Sequence, residues 1–177
     1  MKIMHLADLH LGKLLGGYSL IEDQKYILSQ ILEIIKEENI DTVVIAGDVY
    51  DKGIASVEAI SLFSGFADEI VGVLDKNLLV TSGNHDTSGR LGVYSTLLNK
   101  KFIINKDFLN PKVRVDGVNF FLYPFKSLYE LRHMYELEFL DTSEAYKYVF
   151  DNLELDENEV NIGVFHDYFA KRPSELI

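Results

Sequence analysis

The chain has 177 residues, 47% of them hydrophobic, and carries 28 acidic against 17 basic side chains for a formal net charge of −11. A length of this order suits one domain that buries roughly 70% of its unfolded surface, and with 3 prolines, no low-complexity stretch and no repeat, no linker divides it. The acidic balance excludes tight, unaided nucleic-acid binding through broad phosphate neutralisation, the absence of cysteine excludes disulfides and thiolate metal sites, and the apolar start meets Asp8 too soon for a signal peptide or a membrane span.

A cytoplasmic protein fits these bounds, with any metal held by oxygen and imidazole ligands. DNA stays open as a substrate, because bound divalent ions can invert the potential inside an acidic cleft. Lys2 to Ala7 reads as a buried strand. Ile21 to Asn39 is an amphipathic helix with Ile27, Ile31, Ile34 and Ile35 on one stripe. Thr42 to Gly47 is the next apolar run, and Ser56 to Lys76 has helical spacing at Ile60, Phe63, Ala67, Ile70 and Leu74. Leu78 to Ser82 is a third short strand, so the first half alternates as βαβαβ and favours a mostly parallel sheet.

From Phe102 onward the pattern changes. Short segments at Phe102 to Ile104, Lys112 to Val115 and Val118 to Tyr123 surround Asn110-Pro111 and the hairpin signal Asp116-Gly117, which predicts a second, more antiparallel sheet. Ser127 to Leu140 and Ser143 to Leu153 have helical character, Asp156 to Glu159 is an acidic turn, and Val160 to Phe165 is a last strand.

Four apolar runs end in polar residues suited to metal ions: Asp8 and His10, Gly47-Asp48, Gly83-Asn84-His85, and His166. Open α/β sheets bind ligands beyond the carboxyl ends of their strands, so these ends can converge on one crevice. In an extended backbone residues two apart project to the same side, which lets Asp8 and His10 hold one ion together. Asp48, presented by the turn at Gly47, can bridge two cations roughly 3.5–4 Å apart. Asn84 offers a neutral carbonyl oxygen and His166 another imidazole. The expected sets are Asp8, His10 and Asp48 for one metal, and Asp48, Asn84 and His166 for the other. His85 projects opposite to Asn84 in an extended segment, toward the substrate, where it would protonate a leaving oxygen, and the Asp51 carboxylate is placed to hydrogen-bond its imidazole. Singly each motif is a common loop or turn; all of them, in this order and each after an apolar strand, are not.

The strings Asp8-x-His10, Gly47-Asp48-x-x-Asp51 and Gly83-Asn84-His85-Asp86 resemble the calcineurin-like metallophosphoesterase superfamily. The longer strings Ala7-Asp8-Leu9-His10-Leu11-Gly12-Lys13, Ala46-Gly47-Asp48-Val49-Tyr50-Asp51 and Gly83 to Leu91, with its Arg90-Leu91 pair, look more narrowly like the SbcD-type DNA repair nucleases. The resemblance implies an α/β fold, a four-layer α-β-β-α sandwich of two mixed sheets flanked by helices. It also implies Mn2+ as the two divalent ions, DNA ends or hairpins as substrate, an SbcC-type ATPase as partner, and a homodimer formed through helices between Ser56 and Lys100. Members of that group continue to a Gly-His-x-His segment, a capping domain and a partner-binding tail. No Gly-His-x-His occurs among the 5 histidines here. The expectation is a nuclease domain over 1–177 truncated at its C-terminal side, weakly active or inactive by itself.

His5 is expected to have a packed or partly buried structural role and His133 a surface one. Lys13, Lys52 and Arg90 follow the metal motifs closely enough to line the crevice and meet a phosphate backbone, although solvated surface is the safer reading for Lys13 and Lys52. Phe120 to Phe125 reads as a buried strand rather than a base-stacking surface. The competing functions are another calcineurin-like phosphoesterase acting on phosphoproteins or nucleotides, and a metal-free interaction module on the same fold.

Overall fold

The computed structural model describes residues 1–86 and 88–167. In chain order the elements are β1 (Ile3–Leu6), β2 (Leu14–Leu15), β3 (Tyr18–Ser19), α1 (Ile21–Glu37), β4 (Thr42–Ala46), α2 (Val57–Asp68) and β5 (Asn77–Thr81). They continue with α3 (Ser88–Leu91), α4 (Tyr94–Leu97), β6 (Phe102–Ile104), β7 (Lys112–Val115), β8 (Val118–Leu122), α5 (Leu128–Tyr135), α6 (Thr142–Asp151) and β9 (Asn161–Val164). The main sheet runs β1-β4-β5-β6 with every pair parallel, and a second sheet runs β7-β8-β9. Its hairpin β7-β8 is antiparallel and closes at Asp116-Gly117 with both residues at positive φ, whereas β8 and β9 pair in parallel.

Strand alternation builds the layers. In β4, Val43 and Ile45 enter a core with Leu28 and Ile35 of α1 and Phe63 and Ala67 of α2. Their neighbours Val44 and Ala46 point the other way, into a core with Phe120 and Leu122 of β8 and Val164 of β9. In turn Phe121 and Tyr123 leave the far face of β8 and pack with Leu131 of α5 and Tyr146 and Val149 of α6. Three apolar interfaces therefore separate four layers, helix, sheet, sheet, helix. Each buried Leu, Val or Phe contributes on the order of 1.5–3 kcal/mol.

Several boundaries differ from the sequence expectation for identifiable reasons. The buried stripe of α1 is Leu28, Ile31, Leu32 and Ile35, while Ile27 and Ile34 face solvent; choosing isoleucines alone rotated the stripe off the i, i+3, i+4, i+7 face. Strand β1 lies at the sheet edge, so Met4 and Leu6 pack inward but Ile3 and His5 are exposed. β6 joins the main sheet beside β5 instead of the second sheet. The helix expected to reach Leu140 stops at Tyr135, where Glu136 takes left-handed geometry at φ 54° and its amide caps Arg132. Its start is secured by a capping box between Ser127 and Glu130. The helix expected to run to Lys76 changes after Asp68 into one π-helical turn, Glu69–Val73.

Candidate metal centre

Beyond the ends of β1 and β4 the two chains stay paired. His10 N donates to Asp48 O at 2.9 Å, Leu11 N to Val49 O at 2.9 Å, and Asp51 N returns to Leu11 O at 3.1 Å. The backbone there is not extended. Asp8, His10 and Asp48 have φ of 54°, 43° and 50°, a left-handed geometry that costs non-glycine residues of order 1–3 kcal/mol each and gathers at functional sites. Period-2 alternation therefore does not explain why Asp8 and His10 converge; paired left-handed turns do.

Asp48 is 2% exposed and sits at the centre. His10 Nε2 lies 3.7 Å from Asp8 Oδ1 and 3.6 Å from Asp48 Oδ2. On the other side His166 Nε2 lies 3.4 Å from Asp48 Oδ2 and 3.1 Å from Asn84 Oδ1. His166 Nδ1 donates to Ala46 O at 2.8 Å, so in the neutral ring Nε2 is a lone pair facing two further acceptors. Acceptors directed at one point repel one another unless a cation lies between them, and the hard oxygens and imidazoles here suit divalent metal ions. Two clusters meet at Asp48: Asp8, Asp48 and His166, and His10, Asp48 and His85. The glycines before the motifs are required by this crowding. A Cβ on Gly47, which has φ 79°, would lie 2.4 Å from the His166 ring, and one on Gly83 would lie 2.1 Å from Asp48 Oδ1.

His85 adopts a bend and packs edge-on against the His10 ring at 5.1 Å between centroids. The expected contact between Asp51 and His85 exists, but through a different group. His85 Nδ1 donates to the Asp51 main-chain carbonyl at 2.7 Å, while the Asp51 carboxylate lies 3.5 Å from His10 Nδ1. The amide of His85 also donates to Asp48 Oδ1 at 2.9 Å, which ties the third motif to the second.

Asp86 stands in the motif strings, but the sequence signals no role for it. Its carboxylate accepts from Val49 N at 2.8 Å, Tyr50 N at 2.9 Å and Gly83 N at 3.4 Å, fastening the loop after β4 to the loop after β5. Burial raises its pKa most, the three amides pull it down, and the charge of Asp48 adds to the rise. Two of the three amides lie 36 and 37 residues away in the chain, so local patterning carries no signal for this contact.

These side chains line a cleft of about 750 Å³ at the carboxyl ends of β1, β4, β5 and β9. The sequence model of the calcineurin-like phosphoesterase family matches residues 1–174. The chain belongs to the calcineurin-like phosphoesterases. In this phosphoesterase Asp8, His10, Asp48, Asn84, His85 and His166 all reach the cleft. Asp51 stands behind them in an adjoining groove that it shares with Lys52. His5 departs from its expected packed role: it is exposed and lines the cleft beside Ala7. His133 lies exposed on α5, as expected. Lys13, Lys52 and Arg90 are exposed, and no ion pair or hydrogen bond engages their side chains among the described residues. Lys52 and Arg90 share a second groove of about 400 Å³ walled by Tyr50, Ile60 and Tyr94. No described helix is long and apolar enough to cross a membrane.

Proposed function

We propose that this phosphoesterase is a metal-dependent DNA nuclease of the SbcD type. One observation supports the reading: two clusters, Asp8, Asp48 and His166, and His10, Asp48 and His85, share the buried Asp48. Asp8, His10 and Asp48 would hold one divalent cation, and Asp48, Asn84 and His166 the other; the His10–Asp8 distance of 3.7 Å and the His166–Asn84 distance of 3.1 Å support this pairing, although Asp8 also groups with His166 and His10 with His85 around Asp48. Two bound cations, Mn2+ in this reading, supply charge neutralisation for a phosphodiester and lower the pKa of a water.

The chain's own groups do the rest. Asp48 fixes the spacing of the two clusters, and its Oδ1 holds the His85 amide. Because the Asp51 carbonyl occupies Nδ1–H of His85, a proton can sit on Nε2 or leave it without disturbing the ring, which suits delivery to a leaving oxygen. Lys13, Lys52 and Arg90 are exposed cations on an acidic molecule and have no counter-charge among the described residues; in this reading they meet the backbone of an extended polyanion, as a polynucleotide would offer. An SbcC-type ATPase is the proposed partner. Homodimerisation is proposed through exposed apolar side chains on the helical layer, Val57 and Ile60 of α2 together with Val93.

Hydrolysis of hairpin DNA, a cyclic nucleotide and a phosphopeptide, compared with excess Mn2+, tests the assignment. Mn2+-dependent cutting of the hairpin that is lost in Asp48→Asn supports it. Turnover confined to the phosphopeptide or the cyclic nucleotide would assign the site to another class of phosphoesterase.

A further inference from the structure

Of the four histidines that line the cleft, three belong to the strand-end motifs, His10, His85 and His166, and for two of these three the second ring nitrogen is tied to main chain: His166 Nδ1 donates to Ala46 O at 2.8 Å and His85 Nδ1 to Asp51 O at 2.7 Å. His10 differs. Its Nδ1 is buried and makes no hydrogen bond to any described group, and the acidic oxygen facing it is Asp51 Oδ1 at 3.5 Å. Its Nε2 faces Asp8 and Asp48 at 3.7 and 3.6 Å.

A neutral imidazole carries one proton. If that proton sits on Nε2, it points between two carboxylates and closes the position to a cation. If it sits on Nδ1, the lone pair of Nε2 joins Asp8 and Asp48, and the proton points at Asp51. A carboxylate behind the ring decides between the two tautomers, and such outer partners raise the affinity of an imidazole for metal.

We infer that the Asp51 carboxylate is a positioning residue for His10, holding its proton on Nδ1 and its Nε2 toward the cation site, while the main-chain carbonyl of the same residue holds His85. One residue thus sets both rings by two separate groups. Its side-chain and main-chain contributions are separable: replacing Asp51 removes the carboxylate and leaves the carbonyl anchored by Asp51 N on Leu11 O at 3.1 Å. This differs from a carboxylate–imidazole pair with His85, in which the same replacement would leave metal binding intact and lower turnover alone.

The inference rests on the reading of Asp8, His10 and Asp48 as a cation site. It is tested by nitrogen-15 NMR of the histidine rings in the metal-free protein and by calorimetric titration with Mn2+, on wild type, Asp51→Asn and Asp51→Ala. The expected result is His10 with a protonated Nδ1 in wild type and a mixed or reversed tautomer in Asp51→Ala. Mn2+ affinity should fall roughly tenfold or more in both variants, with the His85 signals unchanged. A wild-type His10 protonated on Nε2 overturns the inference, as does an unchanged tautomer with unchanged Mn2+ affinity in Asp51→Ala. If wild type takes up no Mn2+, the cation reading falls, and the tautomer in the metal-free protein still decides the role of Asp51, whether or not either variant folds.

Discussion

At the scale of single residues, Asp48 and Asp86 make the clearest contrast. Asp48 is shared by both clusters, so Asp48→Ala should weaken Mn2+ binding by more than the 10- to about 100-fold typical of an outer partner. Asp86 touches no cluster atom but holds the amides of Val49 and Tyr50. Asp86→Ala leaves those amides without their acceptor, at about 1–3 kcal/mol for each one that water cannot reach. Thermal melting should therefore show a drop of several degrees, at roughly 2–4 °C per kcal/mol for a domain of this size. A melting curve unchanged by Asp86→Ala would contradict the assigned role. The residue types of the site were legible because hard oxygens and imidazoles stand at strand ends, where ligands bind. The atoms that make each contact were not. Whether Asp51 offers a carbonyl or a carboxylate depends on the left-handed turns at Asp8, His10 and Asp48, which alternation along an extended strand does not anticipate.

At the scale of elements, delivery of His166 depends on how β9 is held. The loop before it is pinned by Glu159, which pairs with Arg114 of β7 and accepts from Asn119 Nδ2 of β8 at 2.7 Å. Arg114, then Asn119, holds the Glu159 carboxyl below its ordinary range. A depressed pKa contributes stability that is complete above the unfolded value, about 4.3, and is lost as pH falls through the folded value. Glu159→Gln should therefore melt below wild type at neutral pH, and the gap should close under acid conditions. A gap that persists to low pH would mean that the charge does not matter. In the sequence this stretch reads only as an acidic turn, because the partners of Glu159 lie 40 or more residues away in the chain. The same long-range dependence hid the edge position of β1 and the pairing of β6 with β5. By contrast, the βαβαβ order and the Asp116-Gly117 hairpin follow from local patterning and appear as expected.

At the scale of the whole molecule, the net charge of −11 sets the problem that a polyanionic substrate must overcome. Cations held in the cleft would oppose it, together with the exposed side chains Lys13, Lys52 and Arg90. Lys52→Ala and Arg90→Ala should each weaken DNA binding and reduce the slope of log affinity against log salt by about 1, without altering Mn2+ uptake. Fluorescence anisotropy with labelled hairpin DNA at several salt concentrations reads this directly, and slopes equal to wild type would remove both residues from the substrate path. The fold packs the two sheets face to face, so that Asp48, in the loop after β4 of the main sheet, meets His166, in the loop after β9 of the second. Anomalous scattering from crystals grown with Mn2+ is the most direct test of that arrangement. Two peaks flanking the Asp48 carboxylate are predicted, one beside Asp8 and His10 and one beside Asn84 and His166; a single peak, or none within reach of Asp48, would contradict it.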